Sequence, residues 1–107
     1  MPAEDPDVIQ TKLDLGRALL TSGNATEARA TLEEALNAAV HAEIGLTVRA
    51  DLEFATARAL WAADSASHGR ASELARSAQS KYATGAPQTR VFTEARSEME
   101  VWLAHHH

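Results

Sequence analysis

The sequence predicts a small all-α domain. Twenty-three of its 107 residues are alanine, the strongest helix former, whereas glycine occurs five times and proline three times. Aromatic residues make up only 5% of the chain, too few for a β-sandwich or barrel, whose strands draw on aromatic and β-branched side chains. Because alanine gains little free energy on burial, the core must depend on close approach between helices.

The first two helices are predicted from signals at their ends. Asp5 followed by Pro6 is typical of an N-cap and the first helical residue. Gly23 then supplies a C-terminal break. The stretch from Asn24 to Glu27 resembles a capping box, in which the two side chains satisfy free amides of the first turn. We therefore expect two helices separated by a short turn.

Three further helices follow short breaks. Gly45 ends the second helix and Thr47 can cap the third, residues 64–67 are mostly polar, and Gly85 and Pro87 mark a turn before the last helix. A single domain of residues 6–104 results, with no loop long enough for a linker. The predicted helices cover residues 6–22, 25–44, 47–63, 68–83 and 87–104.

An internal repeat relates the two halves of the chain. Residues 13–20 and 54–61, offset by 41 positions, share one pattern: large apolar, two variable, small, arginine, alanine, leucine, large apolar. A weaker third copy covers residues 92–99. Repetition of this kind indicates stacked supersecondary units, each burying its apolar face against a neighbour.

The repeat resembles the tetratricopeptide repeat, a helical hairpin with small residues at three helix crossings. At such crossings closely packed helices leave no room for a large side chain. The resemblance implies a right-handed α-α superhelix (solenoid) of two hairpins and a closing C-terminal helix, although the period of 41 exceeds the family's usual length of about 34 residues. The matching small residues are Gly16, Ala28, Ala35, Ala57, Ala71 and Ala78.

A narrower resemblance concerns residues 53–63 and the ending at residues 101–104. These are similar to C-terminal tetratricopeptide segments of bacterial serine/threonine kinases and related signalling proteins. The resemblance implies an adaptor or regulatory segment of a larger bacterial protein, and the lack of a long apolar run and of a signal peptide in the sequence predicts a cytoplasmic location. It does not imply kinase activity, since the sequence has neither a Gly-rich nucleotide loop nor a His-Arg-Asp catalytic loop.

The family architecture places the first helix of each hairpin on a concave face. Arginines there can hold an acidic segment through bidentate hydrogen bonds, with Phe54 and Trp61 as the expected exposed anchors. The predicted peptide- or partner-binding residues are Arg17, Leu20, Phe54, Arg58, Trp61 and Arg96. Alternatively, the arginines only solvate the groove by pairing with acidic neighbours such as Asp14, Asp51 and Glu94.

Other kinds of site find little support in the sequence. No serine, histidine and carboxylate combination indicates catalysis, so we predict no enzyme activity, cofactor or metal. His41 and His68 are interpreted as surface residues, and residues 105–107 as a purification-tag remnant or tail. The net charge of −5 disfavours nucleic acid as a partner. The longest apolar run, Ala59–Ala63, is too short to span a membrane, and no signal peptide is predicted.

The predicted function is that of a protein–protein interaction module. It would bind a peptide or partner helix, with an acidic one favoured, in the concave groove. The alternative is a structural spacer or a homodimerisation segment without a peptide ligand, because the end faces of a short repeat array expose apolar surface.

Overall fold

Every element of the described structure is helical. The computed structural model describes residues 5–40, 42, 44–84, 101, 102 and 104, and no strand occurs among them. The all-α prediction is thereby confirmed, while the superhelical arrangement stays a prediction. The four long helices are α1 (Pro6–Thr21), α2 (Ala25–Ala39), α3 (Leu46–Ala63) and α4 (His68–Thr84), with a 3-10 turn at Ser65–Ser67.

The ends of α1 follow the predicted signals. At its start, the Asp5 carboxylate accepts a hydrogen bond from the Asp7 amide at 2.8 Å. At its end, Gly23 adopts a φ of 89°, a left-handed conformation that glycine reaches without a steric penalty. The amide of Asn24 then donates back to the Leu19 carbonyl at 2.8 Å. This is the hydrogen bond of a Schellman motif, which closes the helix.

The predicted capping box at the start of α2 is wrong. The Asn24 side chain forms no capping hydrogen bond to the helix; its Nδ2 donates instead to the Ser22 hydroxyl at 3.2 Å. The backbone of Asn24 is already fixed by the Schellman hydrogen bond, so the residue closes α1 as well as preceding α2.

The predicted end of the second helix, at about residue 44, is also wrong. The helix ends at Ala39, because the amides of Val40 and Ala42 donate three residues back, each at 3.3 Å, and so tighten the chain into turns. Ala42 is 8% exposed, and its carbonyl accepts a hydrogen bond from the Arg49 guanidinium at 3.0 Å. A side chain of α3 therefore holds the backbone just beyond the end of α2.

The turns before α3 and α4 are capped differently. Gly45, not the predicted Thr47, is the N-cap of α3. Before α4, the Asp64 carboxylate accepts from the Ala66 amide at 3.0 Å and from the Ser67 hydroxyl at 3.1 Å. The 3-10 turn is thus fixed by a single aspartate.

The C-terminal segment is described at three positions. Val101, Trp102 and Ala104 are helical. The rest of the predicted helix 87–104, with Arg96, lies outside the described residues, as do His41 and residues 105–107.

Consecutive helices pack on one another, and α1 also contacts α3. The core between α1, α2 and α3 contains the fully buried Ile9, Leu13, Leu32 and Leu52, and a second cluster around Leu60 joins α3 to α4. No helix among residues 5–84 is both long and apolar enough to cross a membrane.

Small residues lie where the helices touch. A Cβ atom placed on Gly16 of α1 would come within 3.0 Å of three side-chain atoms of Leu32 in α2. The predicted small positions elsewhere are all fully buried: Ala28, Ala35, Ala57, Ala71 and Ala78. The positions that the repeat assigns to helix crossings are therefore buried, and a close approach is seen directly at Gly16.

Candidate functional site

A shallow groove crosses α1, α3 and the C-terminal segment. Its cavity of about 300 Å³ is lined by Leu20, Arg58, Trp61, Ala62 and Trp102. Three of the predicted binding residues, Leu20, Arg58 and Trp61, therefore line one cavity. Trp102 was not predicted to belong to it, although its place on the apolar face of the last predicted helix could have suggested a contact.

An aromatic cluster forms one wall of this groove. The Trp102 ring meets Phe54 at 5.8 Å and 81°, and Trp61 at 5.7 Å and 80°, both edge to face. Each such contact contributes about 0.5–1.5 kcal/mol beyond area burial. Together they fix the C-terminal segment against α3.

Trp61 has a further partner in His68, at the start of α4. The two rings stack with centroids 3.6 Å apart and planes 3° from parallel. The His68 Nε2 lies 3.2 Å from the Trp61 carbonyl oxygen, which fits a tautomer with hydrogen on Nε2. The interpretation of His68 as a plain surface residue is therefore wrong, and its ring fixes the Trp61 indole.

The prediction of Phe54 as an exposed anchor is wrong. Its exposed fraction is only 7%, because Trp102 covers its ring and the Arg58 guanidinium lies 5.7 Å from its centroid. A cation at this distance is attracted to the ring face. Phe54 thus supports the groove from beneath, while Trp61 stays half-buried at its surface.

The predicted arginine positions are not equivalent. Arg17 pairs with Asp51 across α1 and α3, with 3.7 Å between Nη2 and Oδ2, as the alternative interpretation expects. Arg58 lies over an aromatic ring and lines the cavity. Arg96 is outside the described residues. Only Arg58 therefore brings positive charge to the described groove.

A polar network joins α3 to α4 away from the groove. Ser77 Oγ donates to Glu53 Oε2 at 2.9 Å and accepts from Lys81 Nζ at 2.8 Å. The second Glu53 oxygen lies 2.9 Å from the same Lys81 nitrogen. The Glu53 side chain is only 12% exposed, so it forms a largely buried ion pair with Lys81. The sequence does not predict this network, because Glu53 is 24 residues away from Ser77.

A second charged cluster joins α2 to the start of α4. Glu33 accepts hydrogen bonds from Arg29 and Arg70, and Arg29 also lies 3.5 Å from the Asp64 carboxylate. Burial alone raises the pKa of Glu33, but the hydrogen bonds and charges of the two arginines outweigh it, so the pKa is lowered. The Ala66 amide, followed by the Ser67 hydroxyl, lowers the pKa of Asp64.

Within the described residues, no group of three or more histidine, aspartate or glutamate side chains is arranged to hold a metal ion. Comparison with family models, curated proteins and solved structures gives no match. The tetratricopeptide assignment therefore stays a resemblance, and the groove is the feature from which a function can be argued.

Proposed function

We propose that this chain is a protein–protein interaction module whose groove binds a peptide or partner helix, as a cytoplasmic regulatory segment of a larger bacterial signalling protein. The observation that supports the proposal is the groove itself, in which Leu20, Arg58 and Trp61 lie side by side. The resemblance to the tetratricopeptide repeat also implies that a partner binds on the face formed by α1 and α3.

The groove also has the residue types that carry binding energy in protein interfaces. Tryptophan and arginine are enriched among residues whose truncation weakens binding most. Here Trp61 is held in place by His68 at 3.6 Å, and Arg58 is held over Phe54. Because both side chains are already held in place before a partner binds, less side-chain entropy is lost on association.

The cavity offers an apolar floor and one cationic group. A segment that combines an apolar side chain with a nearby carboxylate satisfies both, the apolar group against Trp61 and the carboxylate on Arg58. Charge-assisted hydrogen bonds to a guanidinium are among the stronger polar contacts. The proposed partner segment is therefore acidic. We propose no reaction and no cofactor.

The test is selection of a displayed peptide library on the full chain, followed by calorimetry. We expect selected peptides to lose at least about tenfold in affinity with Arg58→Glu and with Trp61→Ala, which corresponds to about 1.4 kcal/mol. Arg76→Glu is the matched control, because Arg76 is exposed on α4 and does not line the cavity. If all three variants bind the peptides equally well, the groove is not the binding site.

The alternative is a spacer or homodimerisation segment. It is favoured by large apolar side chains on the surface: Leu15, Val40, Leu46 and Val101 are 50%, 64%, 39% and 61% exposed. Sedimentation equilibrium distinguishes the two functions. Two results together would support the alternative. The protein would form a tight dimer that Leu15→Glu dissociates, and the library selection would yield no binding peptide.

A further inference from the structure

We propose that the partner of the groove is an amphipathic helix in which an acidic side chain and an apolar side chain lie one turn apart. The inference rests on the function proposed above and deepens it. A peptide can enter a groove either as an extended chain or as a helix, and the side chains that line this groove favour the helix. They also define which residues the helix presents.

The groove offers hydrogen-bond donors but no side-chain acceptors. The described residues that line it are Leu20, Arg58, Trp61, Ala62 and Trp102. Indole and guanidinium groups only donate hydrogen bonds, and leucine and alanine side chains have no polar atom. The backbone amides of an extended segment would therefore be covered without a side chain to accept their hydrogen bonds, which is costly. A helix satisfies its amides within its own backbone.

The groove lies between helices. Leu20 belongs to α1, and Arg58, Trp61 and Ala62 belong to α3, two helices that contact each other. Trp102, which also lines the groove, is in helical backbone as well. Helices pack when the side chains of one enter the spaces between the side chains of another. A groove of this kind therefore accepts a further helix through its apolar face.

Arg58 and Trp61 define the spacing of the partner's side chains. They are three positions apart on α3, so they lie on one face of the helix and about 4.5 Å apart along its axis. Residues three or four positions apart on a partner helix have a similar separation, about 5–6 Å between Cβ atoms. A carboxylate facing the Arg58 guanidinium and an apolar side chain against Trp61 therefore match the groove at that spacing.

Two alanine-based peptides of about twenty residues, long enough to form helices, test the inference on the full chain. The first carries Leu, Leu and Glu at successive four-residue steps. In the second, the glutamate is moved two positions nearer to the leucines. This move turns the glutamate to the opposite face of a helix but keeps it on the same face of an extended chain.

Binding is measured by the fluorescence of Trp61 and Trp102, which line the groove, because neither peptide contains tryptophan. We expect the first peptide to bind at least about tenfold more tightly than the second. A third peptide has proline in place of an alanine between the glutamate and the nearer leucine. Proline breaks the helix without changing the spacing along the chain, so this peptide should also lose at least about tenfold in affinity.

A charge exchange tests the position of the carboxylate. Arg58→Glu should weaken binding of the first peptide and strengthen binding of a version with lysine in place of glutamate. Arg76→Glu is the matched control, since Arg76 is exposed on α4, and it should bind both peptides like the unchanged protein. The comparison of the three peptides uses the unchanged protein, so it remains decisive even if Arg58→Glu does not fold.

Equal binding by the three peptides, or no binding by the first, would overturn the inference. In that case, library-selected peptides that lose affinity with Arg58→Glu and with Trp61→Ala would leave the proposed function standing. If the selected peptides depend on neither residue, the proposed function fails as well.

Discussion

Gly16 shows at the scale of one residue how this alanine-rich core is packed. The absence of a side chain lets α1 approach Leu32 so closely that even a methyl group would overlap it. Leu32 is fully buried, so its side chain can move aside only within the core. The helix separation at this crossing is therefore set by a missing Cβ atom.

Gly16→Ala should destabilise the protein by about 1–3 kcal/mol, because overpacking outweighs the gain of about 1 kcal/mol in helix propensity. Gly69→Ala on α4 is the control, since nothing lies within 4 Å of its added Cβ, and it should be neutral or stabilising. Chemical denaturation measures both free energies of unfolding. A stabilising Gly16→Ala would contradict the close crossing.

Glu33 should make the stability of the fold sensitive to acid. Its pKa is lower in the folded state, so its contribution is fully present above the ordinary glutamate pKa and is lost as the pH falls through the folded pKa. Thermal unfolding between neutral and acidic pH should show a smaller loss of stability for Glu33→Gln than for the unchanged protein. Glu73→Gln is an exposed change on α4, and this variant should lose as much stability on acidification as the unchanged protein.

Residue roles could be predicted where they depend on local pattern. The small positions were recognised from the repeat, since a spacing along the chain is enough to find them. The burial of Phe54 could not be predicted in the same way, because it is covered by Trp102, a residue nearly fifty positions later. Sequence spacing holds no information on such a contact until the tertiary arrangement is known.

At the scale of elements, the N-termini of α1 and α2 are capped differently. Asp5 caps α1 with its side chain, whereas Asn24 precedes α2 without a capping hydrogen bond to it. Both residues are common N-caps, so sequence alone could not separate them. Likewise, the turns that end α2 at Ala39 are followed by a hydrogen bond from Arg49 of α3 to the Ala42 carbonyl, a contact between elements that helix propensity does not record.

Asp5→Ala should therefore cost about 0.5–2 kcal/mol, the usual loss of an N-cap. Asn24→Ala should cost less, because it removes only the hydrogen bond to Ser22 at 3.2 Å. Urea denaturation of the two variants under one condition gives the comparison. Equal losses would mean that Asn24 caps α2 in solution.

For the whole molecule, ion pairs add to the apolar contacts that hold the helices together. Small side chains provide close packing but few features that fix the position of one helix along another. Charged pairs supply such features between α1 and α2, α1 and α3, α2 and α4, and α3 and α4: Lys12–Glu34, Arg17–Asp51, Arg70–Glu33 and Lys81–Glu53. The helical class followed from composition, whereas these pairs follow from the arrangement in space.

These pairs should differ in strength according to burial. Lys81→Met leaves the Glu53 carboxylate, 12% exposed, without its cation, and should cost about 1–3 kcal/mol. Lys12→Met breaks a pair whose side chains are 33% and 67% exposed, and should cost about 0–1 kcal/mol. Equilibrium unfolding measures the free energy of unfolding that each variant loses. A larger loss for Lys12→Met than for Lys81→Met would contradict the prediction.

Both tryptophans of the chain lie in the aromatic cluster, 5.7 Å apart between ring centroids. Intrinsic fluorescence therefore reports on α3 and the C-terminal segment, while far-ultraviolet circular dichroism reports on all helices equally. If the two signals change at the same denaturant concentration, the protein unfolds as one cooperative unit. If fluorescence changes first, the groove opens before α1 and α2 unfold, and the protein has a partly unfolded state in which only the proposed binding face is lost.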